Sequence, residues 1–171
     1  MSRREEKPLP WPGPRPWRLF LYPNQQNAAS AALRGMRSCG PRLMKGRVGA
    51  LLADEVGMGK TFEALAAAAI YLAACKRRGV TVFMVPPGLM QKWRNEIKFF
   101  CDKVDEVGGG RGAKMAQVLR DMRNASQKDQ WDISGRIILW PTSRVKAFIR
   151  KRRINKLSLL VLDEAHKARK Q

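Results

Sequence analysis

The sequence is short of several residue types, and each shortage excludes a class of protein. Three cysteines, Cys39, Cys75 and Cys101, and a single histidine, His166, are scattered over 171 residues without a CxxC pair. A disulfide scaffold or a Cys/His zinc site needs a denser, closely spaced set, so neither is expected. Long apolar runs are missing too: the longest, Ala64 to Cys75, has 12 residues, well short of the roughly 20 that cross a bilayer. The N-terminus, Met1-Ser2-Arg3-Arg4-Glu5-Glu6-Lys7, runs into prolines and lacks the apolar stretch of a secretory signal. No membrane association and a cytoplasmic location are the expectations. Acidic residues number 14 against 34 lysines and arginines, a formal net charge of +20. That excess points to a polyanionic partner, nucleic acid or an anionic surface.

What is present is distributed unevenly. Six of the ten prolines lie in the first 23 residues, and Pro8 to Pro16 alternates proline too densely for helix or central strand. Residues 1–18 are therefore read as a disordered, basic, Pro-rich leader, a semi-rigid arm or a docking peptide, with folded structure beginning near Arg18. Residues 1–47 hold 10 basic and 2 acidic residues, residues 48–130 hold 13 and 9, and residues 131–171 hold 11 and 3. The two ends thus carry the excess, and the middle carries the fold.

In that middle, short apolar runs alternate with helical patterns, which is the mark of a parallel α/β sheet. Val48 to Ala53 reads as a strand, and the Ala-rich stretch from Phe62 to Cys75 as a helix stopped by Lys76-Arg77-Arg78-Gly79. Val80 to Val85 is a second strand, followed past Pro86-Pro87-Gly88 by a helix with Leu89, Trp93, Ile97 and Phe100 at helical spacing. After the glycine loop at 108–112, Met115, Val118, Leu119 and Met122 form one helical stripe. Ile137 to Trp140 and Leu157 to Leu162 complete the strands.

Between the first strand and its helix stands Gly57-Met58-Gly59-Lys60-Thr61. Backbone N–H groups and a helix N-terminus converge at such a place, so it suits phosphate. Glycines permit close approach, Lys60 can reach terminal phosphates, and the Thr61 hydroxyl can ligate Mg²⁺. The generic GxxxxGK[ST] pattern has Asp54 in place of its first glycine, so an ordinary glycine turn is the alternative. At the end of the last apolar strand come Asp163 and Glu164, two of only three acids after residue 130. There Asp163 can hold Mg²⁺ and Glu164 can orient and deprotonate water; a solvated strand end is the plainer alternative.

The segments Asp54-Glu55-Val56-Gly57-Met58-Gly59-Lys60-Thr61 and Asp163-Glu164-Ala165-His166 resemble motifs I and II of the superfamily-two helicases, most closely the Swi/Snf-type DNA translocases. An aspartate at the first position is usual in that family. Leu21 to Ala28 is similar to the family's glutamine motif, Val85 to Trp93 to its motif Ia, and Trp140-Pro141-Thr142-Ser143 stands where motif Ib falls. The resemblance implies a RecA-like P-loop NTPase fold, a three-layer α/β sandwich on a parallel sheet, over residues 19–171 and incomplete at its C-terminal end.

It further implies ATP and Mg²⁺ as ligands, with Gln25 on adenine and Asp54 to Thr61 cradling phosphates. Thr61 and Asp163 would hold the metal, Lys60 and Glu164 act in catalysis, and His166 couple nucleotide state to motion. Pro86, Pro87, Thr142 and Ser143 would lie beside the nucleic-acid track. Trp93 is read as a core residue rather than a base-stacking platform.

Seven basic residues and no acid occupy Arg144 to Lys156, including Arg150, Lys151, Arg152 and Arg153. These suit a salt-sensitive clamp on a phosphate backbone, with a solvated helix face as the alternative. The function expected is the ATP-binding lobe of a DNA-dependent translocase acting on double-stranded DNA. With motif III and a second lobe absent from the sequence, weak or no turnover is expected unless a second RecA-like lobe joins in trans. A non-enzymatic basic DNA-binding module, a subunit of a split motor, and a small phosphoryl-transfer or GTPase domain are the alternatives.

Overall fold

Three parallel strands in the order β2-β1-β3 frame the molecule: β1 (Val80–Val85), β2 (Ile137–Pro141) and β3 (Leu157–Leu162). The structure is a computed structural model that describes residues 12–38, 50, 52, 59–74, 79–128, 134–151 and 157–164. The strand expected over Val48 to Ala53 lies outside these residues apart from Ala50, which is exposed, and Leu52, which is half-buried against the core. Phe83 stands opposite both Leu139 of β2 and Val161 of β3, so the three strands run level. Parallel neighbours need crossover connections. Helices α3 (Met90–Glu106) and α4 (Ala113–Gln127) link β1 to β2, and α5 (Val145–Lys151) lies between β2 and β3.

Side chains along the strands alternate between faces, as the pleat demands. Phe83, Val85, Ile137, Leu139, Leu159 and Val161 join one apolar cluster, while Val82, Met84, Ile138, Trp140 and Leu162 join another. The first cluster is the larger and is completed by α1 (Pro23–Ser38), α2 (Lys60–Ala74), α3 and α4. The second is closed by Phe148 of α5, whose ring centroid is 5.2 Å from that of Trp140. Helices on both faces of a parallel sheet make a partial RecA-like α/β fold, the class the sequence implies.

Local chemistry explains the helices. The alanines of α2 have the highest helix propensity and their small size lets neighbours approach; Ala66 to Ala69 are all buried. The apolar stripes read on α3 and α4 are the buried ones: Trp93, Ile97 and Phe100, then Met115, Val118, Leu119 and Met122. Two boundaries differ from the sequence reading. Helix α2 opens at Lys60 rather than Phe62, because Gly59 is already its cap: the Gly59 carbonyl accepts the N–H groups of Phe62 at 2.9 Å and Glu63 at 3.3 Å.

Folded structure also begins ahead of Arg18, in a 3₁₀ turn over Arg15–Leu19. Trp17 there is fully buried, edge-on to Phe100 at 5.3 Å, and its indole N–H donates to the Gly109 carbonyl at 3.1 Å. A side chain at Gly109 would overlap the indole ring, so a glycine is required for this anchor. Among the described residues, no helix is long and apolar enough to cross a membrane.

Candidate functional site

The carboxyl ends of the parallel strands set the site. In register, Val85 stands level with Pro141, and Met84 with Leu162. Consequently Pro86-Pro87, Thr142-Ser143 and Asp163-Glu164 all follow their strands at the same edge of the sheet, the edge at which open α/β sheets bind ligands. Pro87 and Ser143 are exposed, and Pro86 and Thr142 half-buried. Helix α2, whose first residues are Lys60 and Thr61, packs against β3, which is followed directly by Asp163.

Gln25 and Gly59 meet although 34 positions separate them in the chain. Gln25 is the third residue of α1, and its Oε1 accepts the backbone N–H of Tyr22 at 3.1 Å, capping the helix from within. That bond fixes the amide, and Nε2 lies directly over Gly59, where any added methyl group would overlap it. Gly59 also holds φ at +83°, a conformation that side-chain-bearing residues adopt at a cost. The positive φ thus favours glycine immediately before Lys60-Thr61, and a methyl group there would also have to displace the Gln25 amide. Lys60 and Thr61 are half-buried in the first turn of α2, where backbone N–H groups and the helix dipole favour an anion. Asp54, Glu55, Val56, Gly57, Met58 and His166 lie outside the described residues.

Asp163 is held at three points. Its backbone N–H donates to the Met84 carbonyl of β1 at 2.9 Å. Its Oδ1 accepts the Glu164 N–H at 2.9 Å, and its Oδ2 accepts the indole N–H of Trp93 at 2.8 Å. Glu164 stands at φ +52°, in the left-handed region that is uncommon for a residue with a side chain. Both carboxylates are half-buried. Among the described residues no cluster of three or more His, Cys, Asp or Glu side chains could hold a metal on its own.

Sequence reasoning missed two residues here. Trp93 is a core residue as expected, 3% exposed, yet it also ends on a carboxylate of the site. A buried indole needs a partner for its N–H, and that requirement was the available signal. Glu63 is fully buried in the first turn of α2; a lone acid inside an alanine helix next to Lys60-Thr61 was the sign of it.

Of the basic stretch, Arg144, Lys146 and Arg150 are exposed, while the side chain of Lys151 and all of Arg152 and Arg153 lie outside the described residues. Away from the edge, α3 and α4 carry two displaced titrations. Burial pushes the Cys101 thiol up to about 12, against the pull of Arg123. Partial burial of Arg123 is the largest influence and works to lower its pKa, but the hydrogen bond to Asp105 and the nearby negative groups Cys101, Asp105 and Asp102 together outweigh it, and the guanidinium is raised above its ordinary value. Arg123 also donates to the Cys101 carbonyl at 2.9 Å, so this group ties the two helices together.

Comparison with known proteins gives one family: residues 19–171 match the SNF2-related domain. Two curated relatives are similar over about three quarters of the chain. Chromodomain-helicase-DNA-binding protein 1-like of Danio rerio is 26% identical over 129 residues, 75% of this chain and 12% of that protein. ISWI chromatin-remodeling complex ATPase CHR17 of Arabidopsis thaliana is 24% identical over 132 residues, 76% of this chain and 12% of that protein. The chain therefore spans about an eighth of the length of these relatives. No solved structure matches.

Proposed function

This chain belongs to the SNF2-related domain family, and from that premise we propose that it is the ATP-binding lobe of a Swi/Snf-type, DNA-dependent ATPase. The observation that carries the proposal is the contact of Gln25 with Gly59. It joins the segment proposed for adenine to the end of the loop proposed for phosphate, at the N-terminus of the helix bearing Lys60 and Thr61. Asp54 to Met58 would complete the phosphate cradle and His166 the coupling to motion.

The residues present fit Mg²⁺ brought in with ATP. Mg²⁺ keeps most of its shell as water and phosphate oxygens and asks the protein for only one or two ligands, here Thr61 and Asp163. When bound, it would neutralise charge developing on the transferred phosphoryl group. The chain's own part is then positional and electrostatic. Lys60 pairs with terminal phosphate oxygens, and the first-turn N–H groups of α2 donate to them. Asp163, fixed by its hydrogen bonds, presents its remaining lone pairs in one direction. Glu164, turned by its left-handed backbone, orients a water and accepts its proton.

Duplex DNA is the proposed partner, along the exposed Pro87, Ser143, Arg144, Lys146 and Arg150 of the same end of the sheet and α5. Support comes from the +20 net charge and from the DNA-binding that one relative carries in its name. The test is equilibrium binding of a fluorescent ATP analogue with Mg²⁺. Lys60→Ala should weaken it at least about tenfold, the loss of a charge-assisted phosphate contact, and Gln25→Ala should erase preference for ATP over GTP. Binding indifferent to Lys60→Ala would end the proposal. Salt-dependent duplex binding indifferent to both ATP and Lys60→Ala would instead favour a non-enzymatic DNA-binding module.

A further inference from the structure

We infer that Trp93 is a positioning residue for Asp163: its indole N–H holds Oδ2 so that the carboxylate faces the metal in one fixed orientation. The inference rests on the reading of Asp163 as a Mg²⁺ ligand.

The geometry separates this bond from ordinary satisfaction of a core indole. Trp93 is immobilised, packed on Phe83 of β1 with centroids 5.7 Å apart and rings tilted by 48°. Phe83 is itself fully buried, so the indole has no freedom to follow a moving carboxylate. Its N–H reaches a residue 70 positions away, at the end of β3. That strand is only partly covered by its surroundings, with Leu157 and Leu160 each 47% exposed. The bond therefore runs from a buried part of the molecule to a more exposed one.

Among the described residues, each oxygen of Asp163 accepts one protein hydrogen bond, from Trp93 and from Glu164 N–H. A carboxylate has about four lone-pair sites, so about two remain for a cation, and their directions are set once both bonds are made. Groups that hydrogen-bond a ligating carboxylate orient it, and their loss typically weakens metal binding about 10- to 100-fold. With Oδ1 bonded, among the described residues, only to the adjoining backbone N–H, the carboxylate of a Trp93 variant would rotate about that one contact. The lost preorganisation would appear in metal affinity rather than in nucleotide affinity.

The experiment measures Mn²⁺ occupancy by electron paramagnetic resonance on the full chain with a non-hydrolysable ATP analogue. Trp93→Phe keeps an aromatic ring against Phe83 and removes the donor together with part of the ring's volume. We expect nucleotide-dependent Mn²⁺ affinity to fall about tenfold, while analogue binding in excess chelator changes less than about twofold. Unchanged Mn²⁺ affinity would overturn the role of Trp93, and increased affinity would identify the bond as a competitor of the metal. Absence of nucleotide-dependent Mn²⁺ binding by the unaltered chain would instead overturn Asp163 as a ligand.

A second measurement needs no tryptophan variant and decides if Trp93→Phe does not fold. The five tryptophans give five indole N–H resonances. One of them should move on Asp163→Asn without metal, and in the unaltered chain the same one should broaden first when Mn²⁺ is added with the analogue. Five resonances indifferent to Asp163→Asn would overturn the inference.

Discussion

Strands β1 and β3 look alike in sequence and behave differently in the fold. Both have six residues, Val80-Thr81-Val82-Phe83-Met84-Val85 and Leu157-Ser158-Leu159-Leu160-Val161-Leu162, apolar with one hydroxyl. In β1 every residue after Val80 is buried; in β3 none is, and Leu157 and Leu160 are half-exposed. Position accounts for the contrast: β1 has strands on both sides and clusters on both faces, whereas among the described residues β3 pairs only with β1. Yet it is β3 that ends in the two carboxylates. The chemical strand is the lightly packed one, and its end is held by the heavily packed one, through the Met84 carbonyl and through Trp93 on Phe83.

The sharpest way to break this comparison is to cut a hole in each strand. Phe83→Ala should cost about 3–5 kcal/mol, as large-to-small changes in a closed core do, whereas Leu160→Ala should cost about 1 kcal/mol, since half of its surface is already in water. Urea denaturation of both variants checks it. Equal losses would mean that β3 is covered as well as β1.

Next in size is Gly59→Ala, which tests whether the loop end is locked to α1 as firmly as β3 is to β1. The φ of +83° and the overlap with the Gln25 amide should together cost about 2–3 kcal/mol. Gln25→Ala in the same chain should recover only the overlap, leaving the backbone cost of about 1–2 kcal/mol. Full recovery in the thermal midpoint would show that φ carries no strain.

The effect that is smallest at neutral pH belongs to Cys101, fully buried in α3. Its thiol ionises at about 12 when folded, above the ordinary thiol value near 9 that the unfolded chain has. A raised acid pKa favours the folded state at low pH: the unfolded state loses its proton first, so this contribution falls as pH rises from about 9 to about 12. Cys101→Ala should flatten the fall in denaturation midpoint across that window by one proton's worth, and the native thiol should resist alkylation until the molecule opens.

Much of this was legible beforehand because it is local. Short apolar runs bounded by proline marked the strands that hold Val82 to Val85 and Ile137 to Trp140, and helical spacing marked Trp93, Ile97, Phe100, Met115 and Met122, all of which are buried. The phosphate-loop end and the two acids announced themselves by residue type at a strand or helix end. Less visible was α1, a 16-residue helix half of whose residues are polar and whose buried side, among the described residues, is Gln25, Leu33 and the small residues Ala29, Ser30 and Ala32. Trp17 was hidden by its prolines, because the partner that orders it, Gly109, lies 92 positions away.

The sequence by itself determined the alternation of strand and helix, the order of the segments similar to those of Swi/Snf translocases, and the large excess of positive charge. These depend on propensity, spacing and composition, which act within a few residues or over the whole chain at once. Only the tertiary structure decided that Gln25 lies on Gly59, that Trp93 holds Asp163, and that β3 is exposed while β1 is not. Each of those is a contact between segments far apart in the chain, and hydrogen bonds and packing at such separations exist only once the sheet and its helices have brought the partners within reach.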